Sequence, residues 1–451
     1  MKKLTGILLV MVALAALGSA VAVQSRSDTT WLGAGDSVNM SINADARQVS
    51  LALGANEIAM AWAGDPEPGN TAGMGIFLKR WSRSGTPTSG GATQVVSGTD
   101  AWYPTLVYSS SQLLASWVQG YYTGPVGSIM QQDIGGGAPL VVMAQVYGYT
   151  APRLAAGPTG YHIVFSAALT DSMKTKGDLY YAYRAPGSNV WEVPSIIVTR
   201  TQVIPDDSSG GIYYPSMALS PDGQHIHIAW EQMGVRVVSE TVFTSFTVWY
   251  VEGSWNGSRF VWGLPGQISP VGQQVGRPNL AVSSDGQVHM TWTEMIVGAG
   301  GTTNPEGQYI NYARRSTQGV WSTPVRIDPD PVRVNTYRPG RAASSVALTP
   351  GNKVCVAWHG FRGQAGDAGQ EEILVGCSFN GGVSWEPVFN ASETETLSFF
   401  PSLQMDPAGQ LFLAWEDFQG SSTYTTDYDI FYRSGNSIYK VYLPALYKRG
   451  S

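Results

Sequence analysis

The sequence predicts an all-β chain folded as a β-propeller. Blades of four antiparallel strands stand in a ring, seven favoured over six, and the N-terminal strand closes it. Three observations predict this. A strand-ending aromatic recurs at Trp62, Trp117, Phe165, Trp230, Trp292, Trp358 and Trp415. The phrase "SPDGQHIHIAWE" (220–231) is nearly rewritten as "SSDGQVHMTWTE" (283–294) and "MDPAGQLFLAWE" (405–416), each time a turn followed by a strand. Finally, 53 Gly, 15 Trp and 22 Tyr, with few apolar runs of helical period, indicate many turns and many strands. Four short strands repeated about every 60 residues are the mark of a propeller, because each small sheet buries its faces only against its neighbours.

The chain opens with Lys2 and Lys3, an apolar run from Ile7 to Leu17, and the small-x-small site Ala20-Val21-Ala22. That order predicts a bacterial-type secretory signal peptide over 1–22, and hence a secreted, extracellular or cell-surface protein. A linker (23–30), the propeller (31–441) and a tail (442–451) follow. No later stretch is long and apolar enough to span a membrane. The net charge of -6 includes no basic block, which argues against a nucleic-acid partner.

Within the ring, the first strand of a blade is usually opened by Pro, as in "WYPTLVYS" (102–109), "TAPRLAAG" (150–157), "YYPSMALS" (213–220), "GRPNLAVS" (276–283) and "FFPSLQMD" (399–406). The aromatic ends the second strand. Third strands follow at "GIFLKRW" (75–81), "DLYYAYR" (178–184), "FTVWYVE" (246–252), "QYINYAR" (308–314), "EILVGCS" (372–378) and "DIFYRS" (429–434). Fourth strands start near an aromatic at "WEVPSIIV" (191–198), "WSTPVRI" (321–327) and "WEPVFN" (385–390). The last repeat has a weak fourth strand, and "WLGAGDSVNMSIN" (31–43) reads as a fourth strand lacking the first three. Pairing the two would cover both sheet edges.

Several features have a structural and a functional reading. The turns Asp222-Gly223 and Asp285-Gly286 are hairpin turns rather than calcium loops, since no dense carboxylate string surrounds them. His162, His227 and His289 each stand three residues before the blade aromatic. They read as buried histidines hydrogen-bonded between blades rather than as a metal trio, and neither metal nor cofactor is expected. Cys355 and Cys377 fall on adjacent strands of one repeat, as a cross-strand disulfide or two buried thiols.

Residues 378–385 read Ser378-Phe379-Asn380-Gly381-Gly382-Val383-Ser384-Trp385. This resembles the Asp box (BNR motif), Ser-x-Asp-x-Gly-x-x-Trp, of sialidases and related propellers, with Asn380 in place of the Asp. Ser378, Asn380, Gly382 and Trp385 would then form a structural turn between third and fourth strands. "YRAPGSNVW" (183–191) and "ARRSTQGVW" (313–321) look like decayed copies. The resemblance implies a sialidase-like propeller, and for true sialidases an Arg triad, a Tyr–Glu nucleophile pair and an Asp acid/base. This chain departs from that pattern in having seven repeats and no Arg-Ile-Pro segment. Arg47 is where a first triad arginine would be sought.

Loops alternate between the two faces of a propeller. Residues just after each aromatic therefore converge with those just before each Pro. The acids Glu231, Glu294 and Glu416 are the candidate catalytic carboxylates of a glycoside hydrolase. Arg153, Arg277, Arg338, Arg341, Tyr214, Tyr337, His359 and Asp417 are the candidate substrate-binding residues. Aromatics stack on sugar rings, arginines bind carboxylates and paired carboxylates hydrolyse glycosides. The reading is an extracellular glycan-directed propeller, either a divergent sialidase-type exo-glycosidase or a non-catalytic surface propeller that binds glycan or a surface protein.

Overall fold

The structure, a computed structural model, describes residues 28–32, 38–40, 45–65, 73–85, 91–97, 100–120, 126–147, 151–169, 177–203, 210–238, 241–296, 307–333, 343–361, 371–394, 396–418 and 428–440. Seven antiparallel sheets form the ring. Blades 1 to 6 run over Asp45–Val96, Ala101–Val146, Arg153–Val198, Gly211–Gln267, Gln274–Arg326 and Ser344–Asn390. Blade 7 takes three strands from Leu397–Lys440, and its outer edge is closed by the N-terminal pieces Asp28–Leu32 and Val38–Asn39. The expected closure by the N-terminal strand is what the register shows, in two pieces. A single helical turn, Arg200–Val203, is the only helix among the described residues.

The blade aromatics are the core of each interface. All six tryptophans are fully buried, and each turns toward the preceding blade: Trp62 meets Phe412 and Ala414 of blade 7, and Trp230 meets Val164 and Leu179 of blade 3. A ring of that size removes about 150–250 Å² from water, or about 4–6 kcal/mol per aromatic. The next residue along the strand turns the other way, toward the following blade. That alternation decides where the acids go.

Two sets of polar contacts tie blade to blade. Around the channel, a small polar side chain on five of the seven first strands accepts from the next blade's backbone. Ser402 Oγ takes Leu51 N at 3.0 Å, Ser50 takes Leu106 N at 3.1 Å, Ser216 takes Leu280 N at 3.0 Å, Asn279 takes Val346 N at 3.0 Å, and Ser345 takes Leu403 N at 3.0 Å. Thr105 Oγ1 instead donates to Pro152 O at 2.7 Å. Blade 3 has Arg153 at this position, opposite Val164.

The second set involves the three histidines. His162, His227 and His289 bond through Nδ1 to Tyr181, Tyr250 and Tyr312 at 2.8, 2.7 and 2.7 Å. These bonds lie within a blade, between second and third strands, and not between blades as the sequence suggested. The contact between blades comes from a tryptophan edge: Trp262 on Tyr181, Trp321 on Tyr250 and Trp385 on Tyr312, with centroids 5.0 to 5.2 Å apart. Tyr312 OH also donates to Gly381 O at 3.1 Å. In that turn Ser378 Oγ takes Gly382 N at 2.8 Å and donates to Asn380 Oδ1 at 2.9 Å. Gly382 has φ +82°, and a Cβ there would stand 2.2 Å from the Tyr312 ring. Only glycine fits such a position. Cys355 and Cys377 face each other across the second and third strands of blade 6 and form a disulfide.

Candidate functional site

The mouth of the channel is built by five breaks in the first strands. Register shifts fall between Arg47 and Ser50, Trp102 and Thr105, Tyr213 and Ser216, Gly276 and Asn279, and Phe399 and Ser402. Each bulge holds one non-glycine residue in the left-handed region: Gln48, Tyr103, Tyr214, Arg277 and Phe400, with φ between +47° and +59°. Tyr103, Tyr214, Arg277 and Phe400 each precede the strand-opening Pro, and Gln48 precedes Val49 at the equivalent position. Bulky residues rarely adopt this conformation, at about 1–3 kcal/mol each, and bulges of this kind re-aim side chains.

The residues after the aromatics hold these bulges in place. Glu416 Oε1 accepts Gln48 N at 2.6 Å, and Glu231 Oε2 accepts Arg277 N at 3.1 Å. His359 Nδ1 accepts Phe400 N at 3.4 Å and Ala343 N at 3.4 Å. Gln48 Oε1 passes the pattern on by accepting Tyr103 N at 2.6 Å. Glu231, Glu416 and His359 are all buried. Each turns toward the following blade, as the alternation requires.

Glu294 comes two residues after Trp292, so its side chain shares the tryptophan's face and points to blade 4. It meets Asn311 Nδ2 at 3.0 Å and Arg326 Nη2 at 3.3 Å. Glu231 and Glu294 thus approach one interface, between blades 4 and 5, from its two sides. Glu416 belongs to the junction of blades 7 and 1. Asp417, fully buried, accepts from Ser398 Oγ at 2.8 Å, Trp415 Nε1 at 3.1 Å and Thr394 Oγ1 at 3.2 Å, and also from Thr396. Burial pushes its carboxyl above the ordinary range against those donors.

Arg153, Arg277, Tyr103, Tyr214, Phe400 and Glu416 line one cavity of about 400 Å³ at the mouth. The Arg277 guanidinium lies 4.1 Å over the Tyr214 ring and 5.5 Å from that of Phe400. Burial, and then the charge of Arg277, lower the Arg153 pKa. Among the described residues, no carboxylate forms an ion pair with either guanidinium. Arg47, by contrast, is closed by Asp45 at 2.7 Å and lies over Tyr428. Tyr337, Arg338 and Arg341 lie outside the described residues.

Sequence reasoning did not single out Gln48, the small polar ring, or Tyr309 and Arg326 on blade 5. The ring had a signal: Thr105, Ser216, Asn279 and Ser402 each follow the strand-opening Pro, and Arg153 alone among them breaks the pattern.

No family model matches the sequence, and no curated protein matches it. Solved structures do match. A polysaccharide lyase of family PL25, an ulvan lyase bound to -[GlcA(1-4)Rha3S]-, superposes with a TM-score of 0.53 at 10% identity, covering 89% of this chain and 95% of that one. A second structure of a PL25 ulvan lyase gives 0.52 at 11%, covering 90% and 94%. The intramolecular trans-sialidase of Ruminococcus gnavus is also similar, at 0.44 and 11%, covering 92% and 98%. The fold is a seven-bladed β-propeller, shared with the ulvan lyase. Within that fold, the chemistry of this propeller rests on its own mouth residues.

Proposed function

We propose that this sialidase-like propeller is an exported protein that binds acidic glycans at the mouth of its channel. The observation that carries the reading is the pair of guanidiniums, Arg153 and Arg277, in one cavity with no carboxylate partner among the described residues and beside three aromatic rings. A buried cation without a counter-ion is costly, so an anionic group from the ligand is the fitting partner. Aromatic rings beside it suit the apolar face of a sugar. The ulvan lyase is bound to a glycan that carries acidic groups, and a ligand of that class is proposed here. Export is supported by the opening segment of the sequence and by the disulfide.

Binding is favoured over hydrolysis because the three candidate carboxylates are engaged. Glu231 and Glu416 hold backbone N–H groups, and Glu294 holds Asn311 and Arg326. Calorimetric titration with an acidic tetrasaccharide and a neutral one tests the reading. The native chain is expected to bind the acidic sugar alone, and Arg277→Ala to weaken it by about tenfold or more, the size of one charged hydrogen bond. Equal affinity for the neutral sugar would sink the proposal. Chain cleavage that a Glu231→Gln, Glu294→Gln double variant loses would instead make the protein a glycosidase.

A further inference from the structure

Blade 4 departs from the other blades above the mouth. Its second and third strands, His225–Val238 and Thr241–Trp255, run 14 and 15 residues. Among the described residues, second strands elsewhere run 7 to 9. The first strand of blade 4 ends at Gly211, opposite Met233, yet the other two go on pairing from Gly234↔Ser245 to Val238↔Thr241. A two-stranded arm therefore stands on the mouth side, about 15 Å tall at about 3.4 Å per residue. Such ribbons are marginal alone in water. This one is braced at its base, where Phe246 N donates to Gln274 Oε1 of blade 5 at 2.9 Å.

Next to that base, blade 5 carries a platform. The Arg326 guanidinium lies 3.6 Å from the centroid of the Tyr309 ring and is steadied by Glu294. Its side chain is 46% exposed. Tyr309 lies opposite Glu294 in the register, so both share the face that Trp292 packs on blade 4. The platform thus tops the same interface that holds Glu231 and Arg277. Arg277 on Tyr214 and Arg326 on Tyr309 are two stacked guanidinium–tyrosine pairs along one crest.

We infer that the glycan site continues outward along this crest, so that the ligand is a segment of an acidic polysaccharide several sugars long rather than one terminal sugar. The inference rests on the acidic-glycan reading of the mouth. One acidic sugar meets Arg277 and Arg153. A later unit stacks at Tyr309 and Arg326, where a ring face and a charge are offered together. The arm of blade 4 walls the path between them, and its paired backbone sets the direction of the chain.

The test measures affinity for uronic acid-containing sulfated oligosaccharides of two, four, six and eight sugars. The native chain is expected to gain about tenfold in affinity between the two-sugar and six-sugar ligands, the worth of one stacked cationic contact. A Tyr309→Ala, Arg326→Ala double variant should bind the two-sugar ligand as the native chain does and lose the gain. Replacing 235–244 by Asn-Gly should do the same. Affinity that is flat with length in the native chain, or a gain that survives both variants, overturns the inference. So does a dimer of the native chain that the shortened arm abolishes while the length dependence stays, because the arm would then be a pairing edge for a second copy. Failure of Arg277→Ala to weaken the two-sugar ligand would count against the mouth reading instead.

Discussion

The two rims of the propeller use the same residue types in opposite ways. On the far rim, arginines at or just past the ends of third strands reach back to the preceding blade and close on carboxylates. Arg83 meets Asp406 at 2.8 Å, Arg184 meets Asp133 at 2.7 Å, and Arg315 meets Glu252 at 2.6 Å. The far-rim histidines are likewise satisfied by tyrosines. At the mouth, Arg153 and Arg277 share a cavity in which no carboxylate among the described residues closes on them. Their neighbouring acids are turned to backbone N–H groups, and the bulges beneath them are strained. A paired charge at a blade junction stabilises the ring. An unpaired one lowers its stability and persists where a ligand completes it.

The largest effect that would break this contrast is on the far rim. Arg184 is 1% exposed and stacks on Tyr161 at 4.3 Å besides meeting Asp133. Arg184→Ala should cost about 3–5 kcal/mol, because a carboxylate and an aromatic box lose their partner together. Denaturant midpoints at constant slope measure it. Glycan affinity of the folded fraction should not move. A cost near zero would mean that the far-rim pairs are surface pairs after all.

The second effect separates the rims by pH. Burial holds His162 and His227 down to about 3, and His289 to about 4, from an ordinary value of 6.5. The unfolded chain therefore takes up these protons first. The histidines' contribution is complete above pH 6.5 and is lost as pH falls toward 4, with a limiting slope of about 1.4 kcal/mol per pH unit for each histidine. Burial raises the carboxyls of Asp417 and Glu372, which pull the other way. The informative quantity is thus a difference: His227→Gln should flatten the slope between pH 6.5 and 4.5 relative to the native chain. An unchanged slope would show that His227 is not buried neutral.

Much of this architecture was legible in the sequence, and the limits are physical. The blade tryptophans and Asp-Gly turns recur because every blade needs the same interface and hairpin, so the ring and its closure by the first strand could be read from spacing. The acids were harder. Glu231 directly follows Trp230, but Glu294 stands two residues after Trp292, and in a strand one residue is a change of face. Grouping them by proximity to the aromatic concealed that Glu231 holds a backbone N–H while Glu294 holds Arg326. Nor could the bulges be read, because a Tyr or Arg before Pro gives no hint of positive φ; a bulge of that kind is held by an acceptor on the preceding blade.

The smallest effects are the sharpest, because they set two equivalent positions against each other. Ser216 and Arg153 occupy the same slot on the first strands of blades 4 and 3. Ser216→Ala removes the acceptor for Leu280 N in a buried setting and should cost about 1–3 kcal/mol. Arg153→Ser should do the reverse. It removes a guanidinium whose charge is opposed by burial and by Arg277, and it supplies the small polar group that the other blades carry. Stability should rise by about 1 kcal/mol while affinity for the acidic glycan falls, the trade expected of a residue kept for binding. If Arg153→Ser is as destabilising as Ser216→Ala, Arg153 is a structural member of the ring, and the contrast between the rims fails at the residue on which it most depends.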